Sequence, residues 1–334
     1  MTAESCGVLR STGCTRRSLV RLGTALLLNG TLNRLLAFEV GLSRAQFAMA
    51  VPANGATWSY RQYAVHATVM LGSIPIFHKQ NVGGAAVSLE AATHNQSEWT
   101  AMQFTAGSWP DRLKGFNRFG ATQEIVREQN GAVVESEYRS FMSTSREKGL
   151  ADARKAFTSS AERQMFTIAR GRTTRGGCWF SLEHKAIEAD YNWCTCVDLL
   201  ADLNATADLP PKEPLTNCGP GCPPTFLFAV RRALTRVPGS DGSSVSSYVH
   251  NGKIYHLRTQ TKADENSGQR MVSMRTADSN EGAEAEFKIW LTPKDATALP
   301  VKIEFRPRSF LKLTLEMDGS PGQALRPILS IGRG

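Results

Sequence analysis

The fold is decided near the C-terminus, in the stretch EAEFKIWLTPKDATALPVKIEFRPRSFLKLTLEM, residues 284–317. Phe287, Ile289 and Leu291 alternate with Lys288 and Trp290. After a turn at Thr292 to Pro300, Val301, Ile303 and Phe305 alternate with Lys302, Glu304 and Arg306. Beyond Pro307, Leu311, Leu313, Leu315 and Met317 alternate with Lys312, Thr314, Glu316 and Asp318. Successive side chains of a strand point to opposite faces, so three runs of period two predict three strands, each with one buried and one wet face. The simplest arrangement is an antiparallel meander.

The rest of the chain reads the same way. Tyr63, Val65, Ala67, Val69 and Leu71 share one face of a strand over Ser59 to Leu71, with Ala64, His66 and Thr68 on the other. Gly72-Ser73 turns it into a return strand, Ile74 to His78 and Val82 to Thr93, with a bulge expected at Gly83-Gly84. Glu98 to Thr105 is a further strand. Asn130-Gly131 and Asn251-Gly252 each stand between two strand-like runs, the strongest local signal for a hairpin. Arg163 to Arg170 and Cys178 to Ile187 pair across a Gly-rich, basic loop, and Arg270 to Ala277 leads into the meander.

Three helices are expected. Thr144-x-x-Glu147 is a capping box for a helix running to Phe157. Tyr191 to Ala207 places Trp193, Val197 and Leu200 on one face. Thr225 to Thr235 follows Pro223-Pro224 and turns Phe226, Val230 and Leu234 inward. Residues 208–224 are rich in Cys, Pro and Gly, have no period and read as a loop. The expected class is therefore α+β, mainly β: ten to twelve strands in a long antiparallel sheet, curled into a barrel or half-barrel, with about three short helices.

Residues 1–50 read as an address. Arg16-Arg17 precedes a short apolar run, Leu22 to Leu28, and Ala48-Met49-Ala50 offers a peptidase its small residues. The pattern resembles a twin-arginine signal, with a Sec leader as the other route. Cleavage would leave Val51 first, a single domain over 51–318 and a flexible tail over 319–334, in the periplasm or medium. The apolar run is shorter than the roughly 20 residues that span a bilayer, and no later run is longer, so no membrane span is expected in the mature chain. Of the net charge of +9, residues 1–50 carry +4, from six Arg against two Glu. The remaining excess is scattered, whereas nucleic-acid binding calls for a clustered basic stripe.

Chemistry is sparsely signalled. There is no G-x-S-x-G, H-E-x-x-H, P-loop or G-x-G-x-x-G pattern, and neither a catalytic residue nor a cofactor is assigned. Glu124, Glu128, Glu135 and Glu137 lie on the Asn130-Gly131 hairpin. Glu135 and Glu137 share a face, a pairing that can do acid–base work but is also the wet face of a strand answered by Arg127 and Arg139. His66, His78, His94, His184, His250 and His256 show no ligand spacing. Of seven cysteines, Cys6 and Cys14 fall in the leader, leaving Cys178, Cys194, Cys196, Cys218 and Cys222. In an oxidising compartment disulfides are the default, and Cys194, Cys218 and Cys222 are the candidates, with Cys196 on the buried helix face. Cys194, Cys196, Cys218 and Cys222, with Cys178 and His184 near in sequence, also supply enough soft ligands for zinc or an iron–sulfur cluster. Residues two apart on a helix, however, point about 200° apart.

The run Phe287-x-Ile289-Trp290-Leu291, continued by Leu299-Pro300-Val301-x-Ile303-Glu304, resembles the C-terminal half of a family of uncharacterised exported bacterial proteins. Tyr63-x-Val65 with Leu71-Gly72-Ser73-Ile74-Pro75 is similar to that family's first strand pair. The family is distantly like the LolA-type half-barrels of periplasmic lipoprotein carriers. The resemblance implies a curved sheet and no catalytic residues. Two functions follow as expectations: a non-enzymatic protein binding an apolar ligand such as a lipid on its curved sheet, or an envelope assembly protein engaging a protein partner by a strand edge. A hydrolase or redox enzyme is the third alternative.

Overall fold

The computed structural model describes residues 57–109, 112–113, 118–144, 164–174, 177–187, 214–215, 224–235, 242–250, 253–264, 268–278, 285–292 and 297–318. Over these the chain forms one fourteen-stranded, wholly antiparallel sheet and one helix, a mainly-β, nearly closed barrel. The fourteen strands exceed the ten to twelve expected; the one that falls where the sequence predicts no strand is the two-residue β8 (Pro214–Leu215), within the expected loop. The expected helices over Thr144 to Phe157 and Tyr191 to Ala207 lie outside the described residues, as do residues 1–50 and 319–334.

The topology is two meanders joined at the chain ends. The first runs β1 (Thr57–Leu71), β2 (Ile74–His94), β3 (Ser97–Ser108), β4 (Phe119–Gln129), β5 (Ala132–Thr144), β6 (Gln164–Thr174), β7 (Gly177–Ile187) and β8. The second runs β9 (Gly242–His250), β10 (Lys253–Asp264), β11 (Gln269–Asp278), β12 (Ala285–Leu291), β13 (Lys302–Arg308) and β14 (Leu311–Met317). β1 pairs with β14, so the sheet's edges are β8 and β9, from the middle of the chain. Helix α1 (Phe226–Thr235) connects them.

Turn chemistry explains the tight hairpins. Asn130 and Gly131 both take positive φ, which a two-residue hairpin needs, and Gln129 faces Ala132 across it. Asn95 and Gln96 do the same between β2 and β3. The bulge in β2 sits just before the glycines expected to carry it. Val65 opposes Gly83 but Ala67 opposes Lys79, and Asn81 holds a positive φ between them. Gly83 instead permits a close approach of two strands, since a Cβ there would lie 2.1 Å from the Gly107 carbonyl oxygen.

One face of the sheet carries most of the apolar core. Tyr63 and Val65 on β1, Ala85, Val87 and Leu89 on β2, and Leu315 on β14 form one cluster, closed at one end by Leu299. Leu257, Val272, Met274, Phe287, Ile289 and Leu291 form a second, and α1 packs on it through Ala229 and Leu234. Phe226 and Val230 are partly buried there, as expected of the inward helix face. Phe228, which helical spacing does not place inside, is also buried, because β4 and β5 cover the helix's other side through Val126 and Val133. The helix therefore lies within the curve, between the edge strand β9 and the inner face of β4 and β5. His250 of β9 stands 5.8 Å, ring to ring, from Tyr138 of β5.

Candidate functional site: the concave face and its helix

The helix is held in place by a carboxylate from the sheet. α1 has no acidic residue in its first turn, so its free N–H groups lack a local acceptor. Glu124, facing inward from β4, supplies one. Its carboxylate accepts from the Leu227 N–H at 2.8 Å, the Phe228 N–H at 2.9 Å and the Thr225 hydroxyl at 2.6 Å. Glu124 is buried, and burial pushes its pKa up to about 7 against the downward pull of those hydrogen bonds. On the same side the Val249 N–H donates to the Pro224 carbonyl, so the chain entering α1 caps part of the β9 edge. Arg231 and Arg232 meet Glu128 further along, the Arg232–Glu128 pair at 4.0 Å. Sequence reading places Glu124 on the hairpin but gives it no partner. The usable signal is the helix start, Thr225-x-x-Phe228, a capping box without its acid.

Beyond the helix the concave face changes character. The odd residues of β13 and β14 are expected to be buried. Ile303, Phe305, Leu311 and Leu313 are only half-buried, and Met102 and Phe104 on β3 are the same. The helix covers β9 to β12 and β4, and leaves this strip of the inner face to solvent. The strip runs out onto the β1–β2 hairpin, where Val69 and Leu71, on the same face as Tyr63, are exposed. At the other end it is closed by the β12–β13 connection, whose Leu299 and Pro300 carbonyls accept from Arg61 at 2.6 and 3.1 Å; Tyr63 donates to the Pro300 carbonyl at 2.7 Å.

The outward face mixes polar pairs with buried apolar side chains, among them Phe119, Ile125 and Phe141. Glu135 and Glu137 share a face as expected. Arg127 lies 3.3 Å from the Glu135 carboxylate, and Arg172 closes on its other oxygen. Glu137 and Arg139 are almost fully buried, and burial lowers the Arg139 pKa to about 10, with Glu137 opposing and Arg170 reinforcing that shift.

The fold also brings together two histidines that sequence spacing keeps apart. His66 and His78 face each other across β1 and β2 at 6.1 Å between ring centroids, in an open depression of about 360 Å³. The Asn81 N–H of the bulge donates to His66 Nδ1 at 3.2 Å, leaving Nε2 3.9 Å from Glu316. Burial lowers the His66 pKa more than Glu316 raises it. Lys302 and Lys312 pair with Glu304 at 3.3 and 3.7 Å in the same depression. Among the described residues no three His, Cys, Asp or Glu side chains converge as metal ligands.

Of the cysteines, the backbone of Cys178 lies in β7, opposite Thr173 and Leu215. Cys194, Cys196, Cys218 and Cys222, the disulfide and metal candidates, lie outside the described residues. No helix among the described residues is long and apolar enough to cross a membrane.

No family model matches the chain, and no curated protein matches it. Among solved structures it is similar to a β-barrel-like protein of domain of unknown function DUF1849 from Brucella abortus. The identity is 6%, over 80% of this chain and 98% of that one, with a TM-score of 0.39. That neighbour is barrel-like; a relationship to the LolA type is not shown.

Proposed function

We propose that this is a non-enzymatic, exported binding protein whose nearly closed barrel holds an apolar ligand, such as a lipid or acyl chain, on the strip left open by the helix. The observation that carries the reading is the incompletely buried inner face of Met102, Phe104, Ile303, Phe305, Leu311 and Leu313 among the described residues. A filled antiparallel barrel buries its inward residues. An apolar concave surface still open to water is what a ligand pocket of this chemistry needs.

Export rests on the leader over residues 1–50, with a mature chain from Val51 in the periplasm or medium and the domain over 51–318. In that compartment Cys194, Cys218 and Cys222 would enter disulfides.

The experiment is native mass spectrometry of protein purified without detergent, followed by titration of the delipidated protein with a fluorescent fatty acid. A co-purified lipid and saturable, competable uptake are expected. Phe104→Arg and Leu313→Arg, which place a charge on the strip, should each weaken uptake by about tenfold or more, since an unpaired charge against an acyl chain costs well over about 1.4 kcal/mol. Absence of both co-purified lipid and uptake would refute the reading.

A further inference from the structure

The tip of the β1–β2 hairpin is unusual for a protein in water. All eight residues from Leu71 to His78 are exposed, and they include Leu71, Ile74, Ile76 and Phe77, with Leu71 68% and Phe77 58% accessible. Phe310, 56% accessible, adds to them from the β13–β14 turn, which is tied to this hairpin by the Met70 N–H donating to the Phe310 carbonyl at 2.8 Å. Most of the large apolar side chains exposed among the described residues thus crowd one corner of the barrel. Scattered surface apolar residues need no explanation; a contiguous group does.

The charge flanking this corner is mainly basic, with Lys312 answered by Glu304 at 3.7 Å. On the hairpin itself, from Leu71 to Gln80, the one charged residue is Lys79. Between Glu304 and Glu316 the sequence carries Arg306, Arg308 and Lys312 and no carboxylate. Lys79 pairs in register with Ala67 and Lys312 with Thr68, four and three residues behind Leu71. At the rise of a strand these cations sit roughly 10–13 Å behind the apolar tip. Apolar side chains of a membrane-bound element sink about 5–10 Å into the headgroup–acyl boundary, which leaves cations set behind them on the headgroup side.

We infer that the β1–β2 tip, with Phe310, docks the protein on an anionic lipid bilayer, its apolar side chains entering the interface and its basic residues meeting the headgroups. A protein partner fits less well. The tip is fully exposed and set ahead of its charges, whereas protein interfaces centre on well-packed anchors seated in pockets. The basic collar selects anionic over zwitterionic lipid, since each cation near such a surface adds attraction that salt screens. The inference does not depend on the barrel holding a ligand.

The test is flotation of the full mature protein with phosphatidylcholine vesicles, with and without phosphatidylglycerol, at low and high salt. Binding is expected to be about tenfold or more tighter with phosphatidylglycerol and to weaken as salt rises. Ile74→Asp with Phe77→Asp should reduce binding about tenfold or more without lowering the thermal midpoint, because both side chains are already in water. Arg306→Glu should reduce only the preference for anionic vesicles. Ile76→Trp gives a second reading: its emission should shift to the blue on vesicles. No binding to either vesicle, equal binding by the Asp variant, or flotation without the Trp shift would each overturn the inference. Fatty-acid uptake without vesicles reads the interior alone, so failure of one proposal is distinguishable from failure of the other.

Discussion

The Glu124 carboxylate accepts a hydrogen bond from the Thr225 hydroxyl at 2.6 Å, across 101 residues of chain. This contact joins the sheet to its only described helix and fixes where the open strip of the concave face begins. A helix that slid along the inner face would cover Phe104 and Leu313, or expose Leu257 and Met274. The position of one buried acid therefore sets how much of the barrel is core and how much is surface.

That acid makes stability depend on pH. Its folded pKa is about 7, raised by burial above an ordinary glutamate near 4.5. Between these values the folded chain holds a proton that the unfolded chain has lost, so the contribution is full below about pH 4.5 and falls as pH rises toward 7. The whole window is worth about 3 kcal/mol. Urea unfolding of wild type and Glu124→Gln across it should show a slope in the first that is absent from the second. Parallel pH profiles would contradict the assignment. Glu124→Ala, which leaves the helix N–H groups without their acceptor, should cost about 2–4 kcal/mol below about pH 4.5 and less as pH rises toward 7.

Much of the fold is legible in the sequence because its cues are local. Asn130-Gly131 marks a real two-residue hairpin, His250 pairs with Lys253 as expected of the hairpin at Asn251-Gly252, and the alternation of Phe287, Ile289 and Leu291 is matched by the burial of all three. What joins the halves is not legible. The pairing of Tyr63 with Met317, and of Val65 with Leu315, joins the first strand to the last, and no window of sequence contains both partners. The half-exposure of Leu311 and Leu313 is hidden for the same reason: period two identifies the inward face but says nothing of whether a helix covers it. Glu124 reads as a wet-face residue because its partners lie on a helix a hundred residues away.

Gly171 makes a sharper test of packing. A Cβ on it would lie 2.1 Å from a ring carbon of Tyr138, which is buried on the neighbouring strand. Gly171→Ala should therefore destabilise by about 1–3 kcal/mol, the usual cost of overpacking. In a Tyr138→Leu background, where the ring is gone, the same change should cost markedly less. Equal costs in the two backgrounds, measured by chemical unfolding, would show that the ring is not the obstacle.

The cysteines offer a covalent test of compartment. In protein recovered from the periplasm, thiol counting under denaturing, non-reducing conditions should find fewer than the five thiols left after leader removal, with Cys218 or Cys222 oxidised to its neighbour or to Cys194. A link closing the longer loop would stabilise by about 3 kcal/mol, so reduction should lower the thermal midpoint. Five free thiols would end the disulfide reading, and zinc or iron near one per chain in the same sample would favour the metal alternative.

The closed end of the concave strip rests on a shared acceptor. The Pro300 carbonyl receives the Tyr63 hydroxyl at 2.7 Å and the Arg61 guanidinium at 3.1 Å, and Arg61 also reaches the Leu299 carbonyl at 2.6 Å. Tyr63→Phe removes one donor and leaves the other, so it should cost about 1 kcal/mol. Arg61→Met leaves the Leu299 carbonyl without its guanidinium and should cost about 2 kcal/mol. Together they strip both side-chain donors from Pro300 at a buried site, and the double variant should lose about 0.5–1 kcal/mol more than the sum. A double-mutant cycle by urea unfolding decides it. Strict additivity would mean that the two donors act on independent parts of the connection, and that Pro300 is held by the backbone around it, through the Val301 N–H on the Trp290 carbonyl at 2.8 Å.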